Sequence, residues 1–180
     1  MLLDPKRSCL VVVDVQEKLV PKIGGLARIL ANISRLLAGA QRLDVPVLAT
    51  EQYEPGLGGT VAELAARIPP DKVVGKTFFA AGREEAFCRL LRETGRDRPV
   101  LCGMETHVCV LQSALSLVEQ GFRMAVIVDA VGSRRVLDRD SALRRLERNG
   151  IELVTVEMVL FEWLERAPSP AFRDLLPLIR

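Results

Sequence analysis

The sequence is poor in histidine and aromatic residues and carries little net charge. It contains one histidine, and aromatic residues make up 4% of its 180 positions. A single histidine excludes a metal site built from several imidazole ligands, so we expect no catalytic metal and no cofactor. Lysine and arginine total 25 against 23 acidic residues, a net charge of +2. This balance gives no general attraction to nucleic acids or anionic membranes, and we expect neither as a partner.

Long apolar runs and paired cysteines are also missing. No apolar stretch approaches the roughly 20 residues that span a bilayer, and the opening residues MLLDPKRS show no signal-peptide pattern. The four cysteines have no CxxC spacing, which indicates free thiols and predicts a cytoplasmic protein. Because 49% of the residues are hydrophobic, a chain of this length can bury a substantial core, and we expect residues 1–180 to form one domain.

Short β-branched runs alternate with apolar residues at helical spacing along the whole chain. The predicted strands are residues 9–13, 45–49, 72–75, 99–102, 123–128 and 151–156. The predicted helices are residues 26–43, 61–68, 84–92, 106–121, 138–148, 157–165 and 170–179, with a loop over 50–60. This alternation predicts an α/β fold with a parallel sheet covered on both faces. Right-handed crossovers then place the first and fourth strands side by side.

The segment LCGMETHVCVLQ, residues 101–112, joins an apolar strand to an apolar helix. Gly103 allows a tight backbone turn, Thr106 is the predicted N-cap, and Cys109 falls in the first helical turn. Unpaired amides and the helix dipole lower the pKa of a thiol at such a position, so we expect an acidic, nucleophilic Cys109. The alternative is a small buried residue on a helix.

Two charged residues are predicted to share a crevice with this thiol. Asp14 ends the first predicted strand and Lys76 follows the third. Ligands of parallel sheets bind beyond the carboxyl ends of the strands, where strand order reverses. In such a crevice Cys109 can attack a carbonyl carbon, Asp14 can transfer the proton, and Lys76 can lower the thiol pKa. Taken singly, Asp14 is better explained as a polar residue at a strand end and Lys76 as a solvated surface lysine; their shared location at strand carboxyl ends is what favours a catalytic role.

Three segments, VVVDVQEKL, VGKTFFAA and GMETHVCVLQSAL, resemble the isochorismatase-like cysteine hydrolases. The matching segments extend from Leu10 to about Val159, and the motifs TEQY, GLG and ETHVCVLQ resemble one branch of that family. The resemblance implies a three-layer α/β/α fold with a six-stranded parallel sheet in the Rossmann-like order 3-2-1-4-5-6.

The resemblance also implies which residues act. It implies a catalytic triad of Asp14, Lys76 and Cys109. It implies a non-proline cis peptide between Met104 and Glu105, and an oxyanion hole formed by the backbone amides of Glu105 and Cys109.

The sequence differs from family members that have either of two known activities. Nicotinamidases bind a metal through an aspartate and histidines after the second strand, whereas this chain has TEQYEPGLG there, without histidine. Isochorismatases that cleave an enol ether often lack the cysteine. Its presence here favours hydrolysis of a small amide, carbamoyl or ester substrate through a thioester. The competing hypotheses are a non-catalytic α/β binding module and a redox-sensing thiol protein in which Cys102 or Cys9 lies near Cys109.

Three further residues are candidates for contact with a small-molecule substrate. Gln52 either bonds a substrate amide or carboxyl, or satisfies the backbone of its own loop. Of Phe78 and Phe79, we assign Phe79 to the pocket wall and the other to the core. His107 faces a different direction from Cys109 in a helical turn, so we expect it near the pocket mouth rather than paired with the thiol.

The carboxyl-terminal segment carries more apolar residues than a small edge helix needs for its own packing. Relatives in the resembling family are commonly dimers or larger closed assemblies. We therefore expect a homo-oligomer with this segment at or near an interface. The residues concerned are Val159, Phe161, Trp163, Phe172, Leu175 and Leu176.

Overall fold

The structure, a computed structural model, describes residues 2–179. Its centre is a six-stranded parallel sheet in the order β3-β2-β1-β4-β5-β6. The strands are β1 (Ser8–Val13), β2 (Val47–Gln52), β3 (Val73–Lys76), β4 (Arg98–Met104), β5 (Ala125–Gly132) and β6 (Glu152–Val154). The sequence-based prediction of the fold class and strand order is confirmed.

Helices cover both faces of this sheet. They are α1 (Leu26–Arg42), α2 (Glu54–Leu57), α3 (Ala62–Ala65), α4 (Glu85–Glu93), α5 (Leu111–Glu119), α6 (Val136–Arg148), α7 (Val156–Leu164) and α8 (Pro170–Ile179). The helix predicted over residues 61–68 is only the short α3, since Pro69 and Pro70 follow closely and cannot continue a helix.

Side chains on the two faces of the sheet form two separate core clusters. On β1, Leu10 and Val12 join a cluster with residues of α1 and α7. Val11 and Val13 of the same strand join a second cluster with residues of α4 and α5. All six residues of β1 are buried, which explains why this run is continuously apolar instead of alternating.

Three strands extend beyond the apolar runs that predict them. β2 continues through the polar residues Thr50–Gln52, β3 includes Lys76, and β5 continues past Asp129. The cause is backbone pairing: Thr50 is paired with Val13 of β1, and Gln52 with Lys76 of β3. The loop predicted over residues 50–60 therefore begins only after β2 ends, and Lys76 lies in a strand rather than on a loop.

The apolar residues near the carboxyl terminus pack largely within the chain. Val159, Trp163 and Leu175 are buried, and the indole nitrogen of Trp163 donates a hydrogen bond to Ser8 Oγ at 3.0 Å. Of the six residues expected at an interface, Phe161 is the one with an exposed side chain, at 42% exposure. Half of the expected set is therefore used in the chain's own packing, and the location of this segment at an interface stays a prediction. Among residues 2–179, no helix is both long and apolar enough to cross a membrane.

Candidate active site

Three reactive side chains meet at the carboxyl edge of the sheet, where strand order reverses between β1 and β4. Asp14 directly follows β1, and Lys76 is the last residue of β3. Cys109 lies in a π-helical turn, Thr106–Val110, that connects β4 to α5. The structure therefore brings together the three residues that the sequence analysis places in one crevice.

Asp14 and Lys76 form a buried ion pair. Asp14 Oδ2 and Lys76 Nζ are 2.8 Å apart, and neither side chain is exposed to solvent. The other carboxylate oxygen, Oδ1, accepts a hydrogen bond from Thr50 Oγ1 at 2.6 Å. Asp14 also has a positive φ of 50°, which is uncommon outside glycine and frequent at functional positions. Because desolvation offsets much of the attraction in a buried pair, this arrangement favours a chemical role over a stabilising one.

Besides its contact with Asp14, the ammonium group of Lys76 has three further hydrogen-bond contacts. Lys76 Nζ donates to Gln52 Oε1 at 2.6 Å, and more weakly to the carbonyls of Phe78 at 3.3 Å and Phe79 at 3.4 Å. Gln52 Nε2 donates in turn to the Thr77 carbonyl at 2.9 Å. Both ends of the Gln52 amide are thus used by Lys76 and by the segment after β3, so the predicted role of satisfying its own loop backbone is wrong, and contact with substrate stays a prediction.

The Cys109 thiol is buried against this ion pair. The residue is 6% exposed, and its thiol lies close enough to Asp14 and Lys76 to feel the charge of both. Burial raises the pKa of Cys109 above its usual range, the Asp14 carboxylate raises it further, and Lys76 lowers it only in part. The prediction of an acidic thiol is therefore wrong for the resting site, because desolvation and a neighbouring anion outweigh the ammonium and the helix start.

The turn that carries Cys109 begins differently from the prediction. Glu105 precedes the turn and Thr106 is its first residue, so the predicted N-cap role of Thr106 is wrong. Thr106 is buried, and its hydroxyl has no hydrogen-bond partner among the protein atoms described. The Val110 amide donates to the Glu105 carbonyl at 3.2 Å, which is the five-residue spacing of a π turn. Cys109 still lies in the first turn, as predicted.

The backbone between β4 and Cys109 is fixed on two sides. Gly103 has a φ of 114°, and a Cβ atom there would lie 2.1 Å from the Val13 carbonyl oxygen, so only glycine permits this approach of β4 to β1. The Met104–Glu105 peptide bond is cis. The Glu105 carboxylate accepts hydrogen bonds from the backbone amide and Nε of Arg134 at 3.1 and 3.0 Å. The segment that would present the oxyanion amides is thus held in place.

The remaining sequence-based candidates lie around this site. Phe78 and Phe79 are 50% and 52% exposed, so the prediction that one of them is core is wrong; both belong to the loop after β3. His107 is partly buried, with Nδ1 2.9 Å from Ser133 Oγ and Nε2 3.9 Å from Asp138 Oδ2. Its contacts are with the segment after β5 and the start of α6.

Glu51, in the TEQYEPGLG stretch, is hydrogen-bonded within the chain. Glu51 Oε1 accepts hydrogen bonds from the backbone amide and the hydroxyl of Thr60 at 2.6 and 2.7 Å. Within residues 2–179, no group of three or more histidine, cysteine, aspartate or glutamate side chains is placed to hold a metal ion.

Thr50 is the residue of this site that the sequence analysis misses. Its type is ordinary for a strand, and its position lies within the stretch assigned to a loop. The available signal is spacing: Thr50 is two residues before Gln52, so the two share one face of β2.

The amino-acid sequence matches a family model described as the isochorismatase domain over residues 8–158. It is 39% identical over 178 residues to isochorismatase domain-containing protein 2A of Mus musculus, covering 98% of this chain and 84% of that protein. It is 38% identical over 181 residues to isochorismatase domain-containing protein 1 of Danio rerio, covering 99% of this chain. The chain spans 62% of the Danio rerio protein, less than two thirds of its length.

Solved structures share the fold over nearly the whole chain. A Caenorhabditis elegans protein described as MAR1 ribonuclease is 33% identical with a TM-score of 0.92, covering 99% of this chain and 92% of that one. The YcaC gene product of Escherichia coli, described as an octameric hydrolase of unknown specificity, is 27% identical with a TM-score of 0.90, covering 99% and 87%. YcaC from Pseudomonas aeruginosa, with hexane-2,5-diol and covalent acrylamide, is 26% identical with a TM-score of 0.92, covering 98% and 91%.

Proposed function

The chain belongs to the isochorismatase family, and on that premise we propose that it is a metal-independent cysteine hydrolase. Its substrate is a small amide, carbamoyl or ester compound, cleaved through a thioester on Cys109. The observation that carries the proposal is the buried Asp14–Lys76 ion pair, which interacts electrostatically with the buried Cys109 thiol. A thiol beside a carboxylate and an ammonium has the groups that nucleophilic acyl transfer requires.

The burial of the thiol and of the neighbouring ion pair, which raises the thiol pKa, indicates how the first step proceeds. With Cys109 neutral, the site holds one anion, Asp14, and one cation, Lys76. As sulfur attacks the carbonyl carbon, its proton passes to Asp14 and the negative charge moves from the carboxylate through sulfur to the carbonyl oxygen. The net charge of the buried site does not change, and Lys76 stays close to the groups that carry the charge. Proton transfer in concert with attack therefore avoids placing a second anion in a dry site.

The rest of the cycle uses the same residues. The amides of Glu105 and Cys109 donate to the developing oxyanion, a contribution of about 3 kcal/mol per donor. Protonated Asp14 then gives its proton to the leaving nitrogen or oxygen as the tetrahedral intermediate collapses to the thioester. Asp14, again a carboxylate, accepts a proton from the water that attacks the thioester. The acid product leaves as the proton returns to the Cys109 sulfur.

The comparisons support a reactive thiol and an assembly of several chains. Acrylamide alkylates thiols, and the Pseudomonas aeruginosa relative is described with covalent acrylamide. The Escherichia coli relative is described as octameric, so we propose a homo-oligomer for this chain. Large exposed hydrophobic residues in the segments after β2, β3 and β5 support that proposal: Tyr53, Phe78, Phe79, Val136 and Leu137. We further propose a cytoplasmic location, supported by four cysteines that are all free thiols.

The test is acid-quenched intact-mass spectrometry on protein mixed with a panel of small amides, ureido compounds and esters. RNA belongs in the panel, because one structural relative is described as a ribonuclease. We expect a substrate-dependent acyl adduct that peptide mapping places on Cys109 and that Cys109→Ala lacks. Full turnover by Cys109→Ala, or turnover of RNA alone, would overturn the proposal.

A further inference from the structure

Strand β2 presents two polar side chains to the Asp14–Lys76 ion pair. Thr50 and Gln52 are two residues apart, so they lie on the same face of the strand. The parallel register pairs Thr50 with Val13, the residue before Asp14, and pairs Gln52 with Lys76. The backbone therefore brings one β2 side chain to the anion and the other to the cation.

The hydrogen-bonding capacity of each β2 side chain matches the charge it contacts. Thr50 Oγ1 donates to Asp14 Oδ1 at 2.6 Å, and Gln52 Oε1 accepts from Lys76 Nζ at 2.6 Å. The Gln52 amide cannot be reversed without placing its NH₂ group against the ammonium, and its Nε2 is already bound by the Thr77 carbonyl at 2.9 Å. Both hydrogen bonds are short. In each, the donor and the acceptor are fixed: the Thr50 hydroxyl donates to the carboxylate, and the Gln52 oxygen accepts from the ammonium.

The backbone of Gln52 is itself anchored by a buried side chain. Gln16 is 0% exposed. Its Oε1 accepts a hydrogen bond from the backbone amide of Gln52 at 2.8 Å. Its Nε2 donates to the carbonyls of Gln52 at 3.0 Å and Gly58 at 2.7 Å. The end of β2 is thus held where its pairing with β1 would otherwise stop, which keeps Gln52 at a fixed distance from Lys76.

We propose that Thr50 and Gln52 are positioning residues for the reaction. Thr50 holds one oxygen of Asp14, which leaves the other for Lys76 and the thiol proton. Gln52 holds Lys76 beside Asp14, so that Lys76 gives up its longer contacts to the Phe78 and Phe79 carbonyls when negative charge develops on sulfur. The consequence for turnover depends on the proposed hydrolase function, whereas the effect on thiol reactivity does not.

The test measures the alkylation rate of Cys109 by iodoacetamide from about pH 7 to about pH 10, read by peptide mapping without any substrate. Thr50→Val keeps the shape but removes the donor, so the Asp14 charge is less compensated and the thiolate beside it is disfavoured. We expect the rate to fall about threefold or more, the change for a thiol pKa raised by about half a unit. Thr50→Ser keeps the hydroxyl and should restore the wild-type rate. Gln52→Glu adds an anion beside Lys76 and should also slow alkylation.

The matched control is Thr60→Val, which removes a threonine-to-carboxylate bond of the same kind, from Thr60 Oγ1 to Glu51 at 2.7 Å, away from the ion pair. It should leave the rate unchanged. Wild-type rates for Thr50→Val, or equal rates for Thr50→Val and Thr50→Ser, would overturn the role of Thr50. A wild-type rate for Gln52→Glu would overturn the role of Gln52. Circular dichroism verifies folding, and Thr50→Ala replaces Thr50→Val if the latter does not fold. Because no substrate is used, these outcomes are independent of the acyl-adduct test.

Discussion

Replacing Asp14 with asparagine should make Cys109 more reactive toward alkylation and less active in catalysis. The substitution keeps the size of the side chain but removes the negative charge that raises the thiol pKa. It also leaves Lys76 as a buried cation whose carboxylate partner, 2.8 Å away in the native site, is gone. A buried charge without a partner is strongly unfavourable, so the Cys109 thiolate becomes the natural counter-ion of Lys76.

The size of this change follows from Coulomb's law. Two unit charges about 4 Å apart in a medium of effective dielectric near 20 interact by about 4 kcal/mol, which is about 3 pH units for a titrating thiol. The Lys76 ammonium and the Thr50 hydrogen bond compensate part of the Asp14 charge. We therefore expect the thiol pKa to fall by at least about one unit, a tenfold increase in thiolate at a pH below both values.

The assay compares the pH dependence of iodoacetamide alkylation at Cys109 in wild type and Asp14→Asn, with turnover measured on the same preparations. Turnover should fall by about 10²–10⁴-fold, because the proton acceptor is lost although the nucleophile is more available. Cys9 is the internal control, since burial raises the pKa of its thiol to about 12 and it lies far down β1 from the site. An Asp14→Asn alkylation rate at or below the wild-type rate would refute the electrostatic argument, and near-native turnover would remove Asp14 from the mechanism.

Four further predictions address the nucleophile, the metal, the assembly and the backbone. Cys109→Ser should retain substrate binding by calorimetry but lose turnover by several orders of magnitude, because a serine hydroxyl is much less acidic than a thiol. Chelation with EDTA should leave turnover unchanged; loss that zinc or manganese restores would contradict this. Light scattering at micromolar concentration should give a mass above that of the 19.9 kDa monomer, and a strictly monomeric mass would contradict the proposed assembly. Gly103→Ala should lower the free energy of unfolding by more than about 1 kcal/mol, because its Cβ would lie 2.1 Å from the Val13 carbonyl; a denaturant titration measures it.

The fold follows from sequence because hydrophobic periodicity reports burial, and burial on both sheet faces specifies parallel strands. The ends of the strands do not follow, because they are set by backbone pairing and not by side chains. β2 illustrates this: its apolar residues stop at Ala49, yet the strand continues through Thr50, Glu51 and Gln52. A loop prediction there conceals the alternation that places Thr50 and Gln52 on one face.

The grouping of Asp14, Lys76 and Cys109 is predictable from residue types at strand ends, but the acidity of the thiol is not. The sequence shows a helix start and a lysine, both of which lower a thiol pKa. It does not show that Cys109 is buried beside the Asp14 carboxylate, and burial and that negative charge together raise the pKa. Tertiary contacts decide the direction of the pKa shift, because its two opposing causes come from separate parts of the chain: Asp14 follows β1 and Lys76 ends β3.

The direction of the Cys109 pKa shift also discriminates between the competing hypotheses for this residue. Redox-sensing cysteines are accessible thiols of low pKa, often beside a resolving cysteine. Cys109 is 6% exposed with a raised pKa, and the side chain of Cys102 belongs to the core cluster on the opposite face of the sheet. A neutral thiol is slow to react with oxidants, whereas it can still attack a bound carbonyl when Asp14 takes its proton in the same step. The burial that argues against a redox sensor is therefore compatible with a hydrolase whose nucleophile is activated only during attack.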